Sequence, residues 1–198
     1  MTADAIAVGQ FMISRPIFCG PVVGLFLGDI IAGLYIGMIM ELLWVAVVPL
    51  GNAVPPDSTV VTIGATYVAA VNGCEPANGY MLFLILCFVP AGVLYKKIDI
   101  IHRSLNSYFI PKLDMKISEG DVSFIDKTVY LSALLFVLKA SVFLLLLMIL
   151  GEKIIPPVFM SLGSNLQNAM SKALFFVPAL GLGVAINTFL FKKSQLKR

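Results

Sequence analysis

Three apolar runs in this chain reach the roughly 20 residues that a helix needs to cross a hydrocarbon core. They are Ile17–Met40, Val129–Leu150 and Ala173–Phe191. Gly79–Tyr95 falls slightly short, Thr59–Val71 is shorter still, and Leu42–Val54 is interrupted by Pro49 and Gly51. The last two are expected to be broken or re-entrant elements rather than full spans. The pattern predicts an all-α polytopic membrane protein with about five to six membrane segments, broken or re-entrant ones included. Within the first run, glycine recurs at Gly20, Gly24 and Gly28, then at Gly33 and Gly37. A step of four keeps these glycines on one helix face and lets another backbone approach closely. Asp29 is expected either to sit near an interface or to cap a break beside Gly28.

Charge orients the runs. Lys96, Lys97, Arg103, Lys112, Lys116 and Lys127 fall in the polar segment from Lys96 to Thr128. Lys192, Lys193, Lys197 and Arg198 form the tail, whereas Asn72–Gly79 has neither Lys nor Arg. By the positive-inside rule the long segment and the tail are cytoplasmic and the turn around Cys74 is outside. Arg15 agrees with an inside start; Lys153 and Lys172, flanking an external amphipathic stretch, point the other way. Residues 1–198 then form a single membrane-embedded domain, with a cytoplasmic loop at about 96–128 and a short basic cytoplasmic tail at about 192–198. Ile98, Ile101 and Leu105 predict an amphipathic helix on the cytoplasmic surface, ended by Pro111.

Composition sharpens this reading. The chain is 59% hydrophobic and 13% charged, far below the roughly 25% charge of soluble domains, so it cannot cover a soluble surface. The net charge of +3 follows topology instead of forming one patch, which argues against nucleic-acid binding. Cys19, Cys74 and Cys87 lack CxxC spacing, and His102 is the single histidine. No metal site, cofactor or catalytic residue is therefore expected, and His102 reads as a surface residue of a basic loop. The opening residues MTADAIAVGQF carry no basic region before an apolar core, so no secretory leader is expected there.

The candidate chemistry lies in Glu41–Thr59, ELLWVAVVPLGNAVPPDST. Pro49, Gly51, Pro55 and Pro56 prevent a continuous helix, and unpaired backbone at membrane depth is tolerable where it lines a solute cavity. Carboxylates there are costly unless they face a cavity or a partner. Glu41 and Asp57 would accept hydrogen bonds from neighbouring sugar hydroxyls, and the amide of Asn52 can donate and accept. Trp44 would stack on a pyranose face or anchor the chain at the interface. The plainer alternative is a polar turn in which Asp57 caps the helix starting near Ser58. Lys139, in the middle of its apolar run, needs a carboxylate or a cavity, and Asp29, Glu41 and Asp57 are the candidate partners.

The segments SRPIFCGPVVGLFLGD and GLYIGMIMELLWVAVVPLGNAVPPDSTVVTIGAT resemble the IIC permease subunit of the mannose-class (mannose/fructose/sorbose) sugar phosphotransferase system. The resemblance rests on Arg15–Pro16, Gly28–Asp29, Glu41 and the turn from Gly51 to Asp57, and covers about residues 10–70. Family members typically carry a further apolar segment ahead of the Arg–Pro pair, where this chain has MTADAIAVGQFMI. The resemblance implies a subunit of a bacterial cytoplasmic membrane that binds and conducts a hexose or amino sugar. It pairs with a IID membrane subunit, in an oligomer, while soluble IIB, charged by IIA from phosphoenolpyruvate, phosphorylates the sugar. It also implies that Glu41, Asp57 and Asn52 lie in the sugar-binding region, with Asp29, Trp44 and Lys139 as supporting residues. Two other functions stay open: an ion-coupled secondary transporter using Asp29, Glu41, Asp57 and Lys139 as a charge relay, and a non-transporting assembly subunit.

Overall fold

A computed structural model describes residues 12–45, 47, 55–75, 78–119 and 123–195, with side chains as far as residue 187. The first apolar run folds back on itself instead of crossing as one helix. Helix α1 (Pro16–Leu27) ends at Gly28, whose φ of 82° is a left-handed conformation that suits glycine. Gly28 N–H donates to Leu25 O at 3.3 Å and Asp29 N–H to Gly24 O at 2.9 Å, a Schellman ending. The Asp29 side chain then caps α2 (Ile30–Trp44), accepting from Ala32 N–H at 3.0 Å.

Glycine lines the seam between the two arms. A Cβ on Gly20 or on Gly33 would collide with the carbonyl oxygen of the other. One on Gly37 would stand 2.5 Å from Pro16 O, and one on Gly24 2.5 Å from Asp29 O. Partners thus run 16 with 37, 20 with 33 and 24 with 29, the register of an antiparallel hairpin. The glycine spacing does bring a second backbone close, but that backbone is the other half of the same run. The arms, at 12 and 15 residues, are about 18 and 22 Å long, too short to cross a core of about 30 Å upright. Ile17–Met40 is therefore a hairpin, which corrects the expectation of a single span.

Helix α3 (Ser58–Val71) occupies the centre of the bundle, burying Val60, Val61, Ala65, Val68 and Ala69. Its small residues admit neighbours on several sides. The α1–α2 hairpin packs against it, as do the two long helices α4 (Gly79–Ser107) and α6 (Ser123–Ser161). A Cβ on Gly64 would meet Phe88 of α4 at 2.6 Å and Leu147 of α6 at 2.9 Å. α4 and α6 run antiparallel in one register along their length, from Tyr80 against Phe159 through Tyr95 against Phe143 to Asn106 against Ser132.

Residues 96–107, expected as part of a loop carrying a surface helix, continue α4 without a break. Pro111 does not end that helix; it opens α5 (Ile110–Ser118), where its missing N–H costs nothing in a first turn. The final run, Ala173–Phe191, falls mostly in α8 (Val177–Gln195), which α7 (Ser164–Leu174) precedes at a bend of 43°. α7 lies on the start of α4, where Gly79 N–H donates to Ser171 Oγ at 2.8 Å, and Gly181 of α8 packs on Leu42 of α2.

Among the described residues, Gly79–Ser118 and Ser123–Ser161 are long and apolar enough to span a membrane, and α7–α8 is a third if the bent pair is one span. With the shorter apolar helices α1, α2 and α3, this is an all-helical polytopic membrane architecture with broken elements.

Candidate functional site

The open end of the α1–α2 hairpin meets the start of α3. Glu41, in the last turn of α2, points back across the hairpin and accepts from Arg15 Nη1 at 2.6 Å and from Ile17 N–H at 3.4 Å. Arg15 is the residue before α1, and Ile17 N–H is one of the amides that a helix start leaves without an internal partner. A carboxylate placed there gains from both the guanidinium and the helix dipole. Thr59, in the first turn of α3, donates to Ser14 O at 2.7 Å and ties the chain before α1 to α3.

Asp57 caps α3, its Oδ1 accepting from Val60 N–H at 3.0 Å. The helix-capping role weighed for it in the sequence is thus present. Helix α4 closes the far side: a Cβ on Gly92 would stand 2.6 Å from Val61 Cγ2 and 3.2 Å from Asp57 O. Three helix ends, two carboxylates and one guanidinium thus gather within the bundle. The Glu41 side chain keeps 17% of its surface and that of Arg15 41%, so the cluster is open at its rim. Chemically it offers carboxylate acceptors beside a forked guanidinium donor.

The other sequence candidates fall elsewhere. Asp29 sits at the tip of the hairpin, about 18 Å of helix away from Glu41, and caps α2. Trp44 is buried in the apolar core with Ile36, Met40 and Val61. Asn52, with Pro49 and Gly51, lies outside the described residues.

Lys139 pairs with none of its three expected partners. Its Nζ donates to Asp99 Oδ1 at 2.6 Å, and Arg103 Nε reaches Asp99 Oδ2 at 2.8 Å. The rings of Phe136 and Tyr95 flank the ammonium at 4.7 and 5.1 Å, within cation–π reach. The reason is the register of α4 against α6, which sets Lys139 level with the buried Asp99, beyond the apolar part of α4. Along the chain Asp99 sits among Lys96, Lys97 and Arg103, where it reads as one charge of a solvated segment. Its spacing of four from Arg103 was the available signal. His102 likewise lies on α4, facing Phe136, and not in a loop.

Helices that stop inside an apolar bundle, with carboxylates at their ends, are the construction of membrane permeases. The chain belongs to the family of the sorbose-specific IIC component of the phosphotransferase system (PTS), whose model matches residues 1–196. The mannose-class IIC membership expected from the motifs between Arg15 and Asp57 is thereby shown. Among curated proteins it is similar to two from Escherichia coli (strain K12). A putative N-acetylgalactosamine permease IIC component 2 is 42% identical over 62 residues, 31% of this chain and 47% of that protein. N-acetylgalactosamine permease IIC component 1 is 24% identical over 182 residues, 92% of this chain and 66% of that protein. The chain thus spans less than two thirds of the length of each.

Two solved structures share the fold. One, described as a membrane protein, has a TM-score of 0.70 at 20% identity and covers 90% of this chain and 71% of its own. The other, the mannose transporter ManYZ in complex with microcin E492, has a TM-score of 0.60 at 21% identity and covers 91% and 71%.

Proposed function

We propose that this chain is the sugar-translocating IIC subunit of a bacterial phosphoenolpyruvate-dependent phosphotransferase system, and that Glu41 and Asp57 form part of its sugar site. The observation that carries the reading is the pairing of Glu41 with Arg15 across the open end of a hairpin that abuts the capped start of α3. A sugar hydroxyl pair can replace part of the hydrogen bonding at that rim without leaving a charge bare. The solute is a hexose or an amino sugar, a class supported by the names of the family and of the similar proteins. Asn52, which lies between α2 and α3 along the chain, is proposed as a further sugar-binding residue on the family resemblance alone.

The chain sits in the bacterial cytoplasmic membrane as one membrane-embedded domain, with the basic stretch at about 96–128 and the tail inside. It works with a IID membrane subunit in an oligomer. Phosphoryl transfer is carried by IIA and IIB, so the chain binds and conducts without catalysing. Phosphorylation at the cytoplasmic face traps the sugar and gives uptake its direction. The ion-relay alternative has less support, because Lys139 is satisfied by Asp99 and Glu41 by Arg15.

The test uses membrane vesicles containing this chain with its IID subunit, supplied with the soluble phosphotransferase proteins and labelled hexoses and amino sugars. Asn caps a helix about as well as Asp, so Asp57→Asn keeps the start of α3 and removes the charge. Phosphorylation of one sugar is expected in the wild type and is expected to fall about 10- to 100-fold in the variant, the worth of a charged hydrogen bond to substrate. Full activity of Asp57→Asn would remove Asp57 from the site. Absence of activity on every sugar, with the complex assembled, would overturn the permease reading itself.

A further inference from the structure

A cleft of about 320 Å³ opens where α4 ends, between α5 and the first turns of α6. Its floor is apolar, formed by Phe109, Phe124, Leu131 and Leu135, and its rim carries Lys112 from α5 and Lys127 from α6. Among the described residues neither lysine forms an ion pair, while the nearby Lys116 is held by Glu119. The neutral polar groups of the cleft are already engaged. Asn106 donates to Ser132 Oγ at 2.7 Å, and Thr128 Oγ1 to Phe124 O at 2.8 Å. With so few polar groups left over, the cleft is poorly equipped to read an array of sugar hydroxyls. It offers positive charge at one side and grease at the other.

The apolar floor does not stop at the cleft. It runs on along α6 through Leu134 and Leu138, both more than half exposed. α5, beside it, is amphipathic, with Ile110, Leu113 and Ile117 along one side and Lys112 and Lys116 on another. A helix of that kind lies at a membrane surface with its lysines toward the headgroups.

We propose that the cleft holds the headgroup of an anionic phospholipid, with the phosphodiester between Lys112 and Lys127 and the acyl chains along the outward face of α6. Charge complementarity selects the headgroup, since basic pockets between membrane helices favour anionic lipids. Continuity of the apolar floor with α6 selects an amphiphile over a free phosphate. The inference goes beyond the sugar reading and needs only that the chain reside in a membrane.

The full chain, purified in detergent, would be offered equal amounts of phosphatidylglycerol and phosphatidylcholine and its adducts weighed by native mass spectrometry. Wild type is expected to retain one phosphatidylglycerol per chain in preference to phosphatidylcholine. Lys112→Gln/Lys127→Gln is expected to lower that preference about 30-fold, the contribution of two lysines at a membrane surface. The paired arginine variant, Lys112→Arg/Lys127→Arg, should keep it, as should Lys172→Gln on α7. Circular dichroism confirms that each variant is folded. Equal retention of the two lipids by wild type, or an unchanged preference in Lys112→Gln/Lys127→Gln, would overturn the proposal. So would a variant that keeps its lipid preference but no longer binds the soluble IIB protein, which would make the cleft a protein-docking surface. None of these readouts measures sugar phosphorylation, so failure here leaves the sugar site standing.

Discussion

Valine at Gly33 is expected to prevent accumulation of the folded protein, or to lower its stability by about 3 kcal/mol or more, the upper range for overpacking. The new Cβ would meet Gly20 O, would stand 2.9 Å from Gly20 C and would lie 3.1 Å from Gly24 Cα. All three are backbone atoms, so no side chain can turn aside and the arms of the hairpin must separate. Separation also pulls Glu41 from Arg15 at the open end. Expression level and thermal unfolding in detergent measure the effect. Gly183→Val is the control, since a Cβ there meets nothing within 4 Å, and it should accumulate normally. Wild-type stability of Gly33→Val would mean that the arms are not packed together, and the single-span alternative would return.

Asp99→Leu is the second change with a large expected cost. It leaves the Lys139 ammonium, 13% exposed at its side chain, with aromatic faces and no carboxylate, and removing one partner of a buried pair costs about 3–5 kcal/mol. Lys139→Met should cost less, because Asp99 keeps Arg103 at 2.8 Å. The double variant Asp99→Leu/Lys139→Met should recover most of the loss, since the buried ammonium is gone and Arg103, 44% exposed at its side chain, can turn to water. Thermal unfolding of the three variants in one detergent closes the cycle. Costs that simply add would show that the two groups do not act as a unit, and the register of α4 against α6 would then need another source.

These two sites separate what is local in the chain from what is not. The apolar runs announced membrane helices because hydrocarbon admits few charges and demands paired backbone. The glycine spacing announced a close backbone approach for an equally local reason: only residues without a side chain permit it. What spacing cannot say is which backbone approaches. A Schellman ending at Gly28 and a cap at Asp29 turn the run back on itself, and both signals are too short to outvote an apolar run of that length. Asp57 was readable both as a cap and as a site residue. It is a cap in the structure, and the Asp57→Asn experiment asks whether it is also the other.

The sequence alone settled the membrane, the helical class and the family, since hydropathy, composition and the motifs from Arg15 to Asp57 are properties of neighbouring residues. It also named Glu41 as a charge in need of a partner. Tertiary structure decided who the partners are. Glu41 finds Arg15, 26 positions away, and Lys139 finds Asp99, 40 positions away, because the hairpin turn and the antiparallel register of α4 and α6 bring those positions level. Along the chain, Asp99 is one charge in a basic segment. Only the packing of α6 against it makes it the buried anion on which two cations converge.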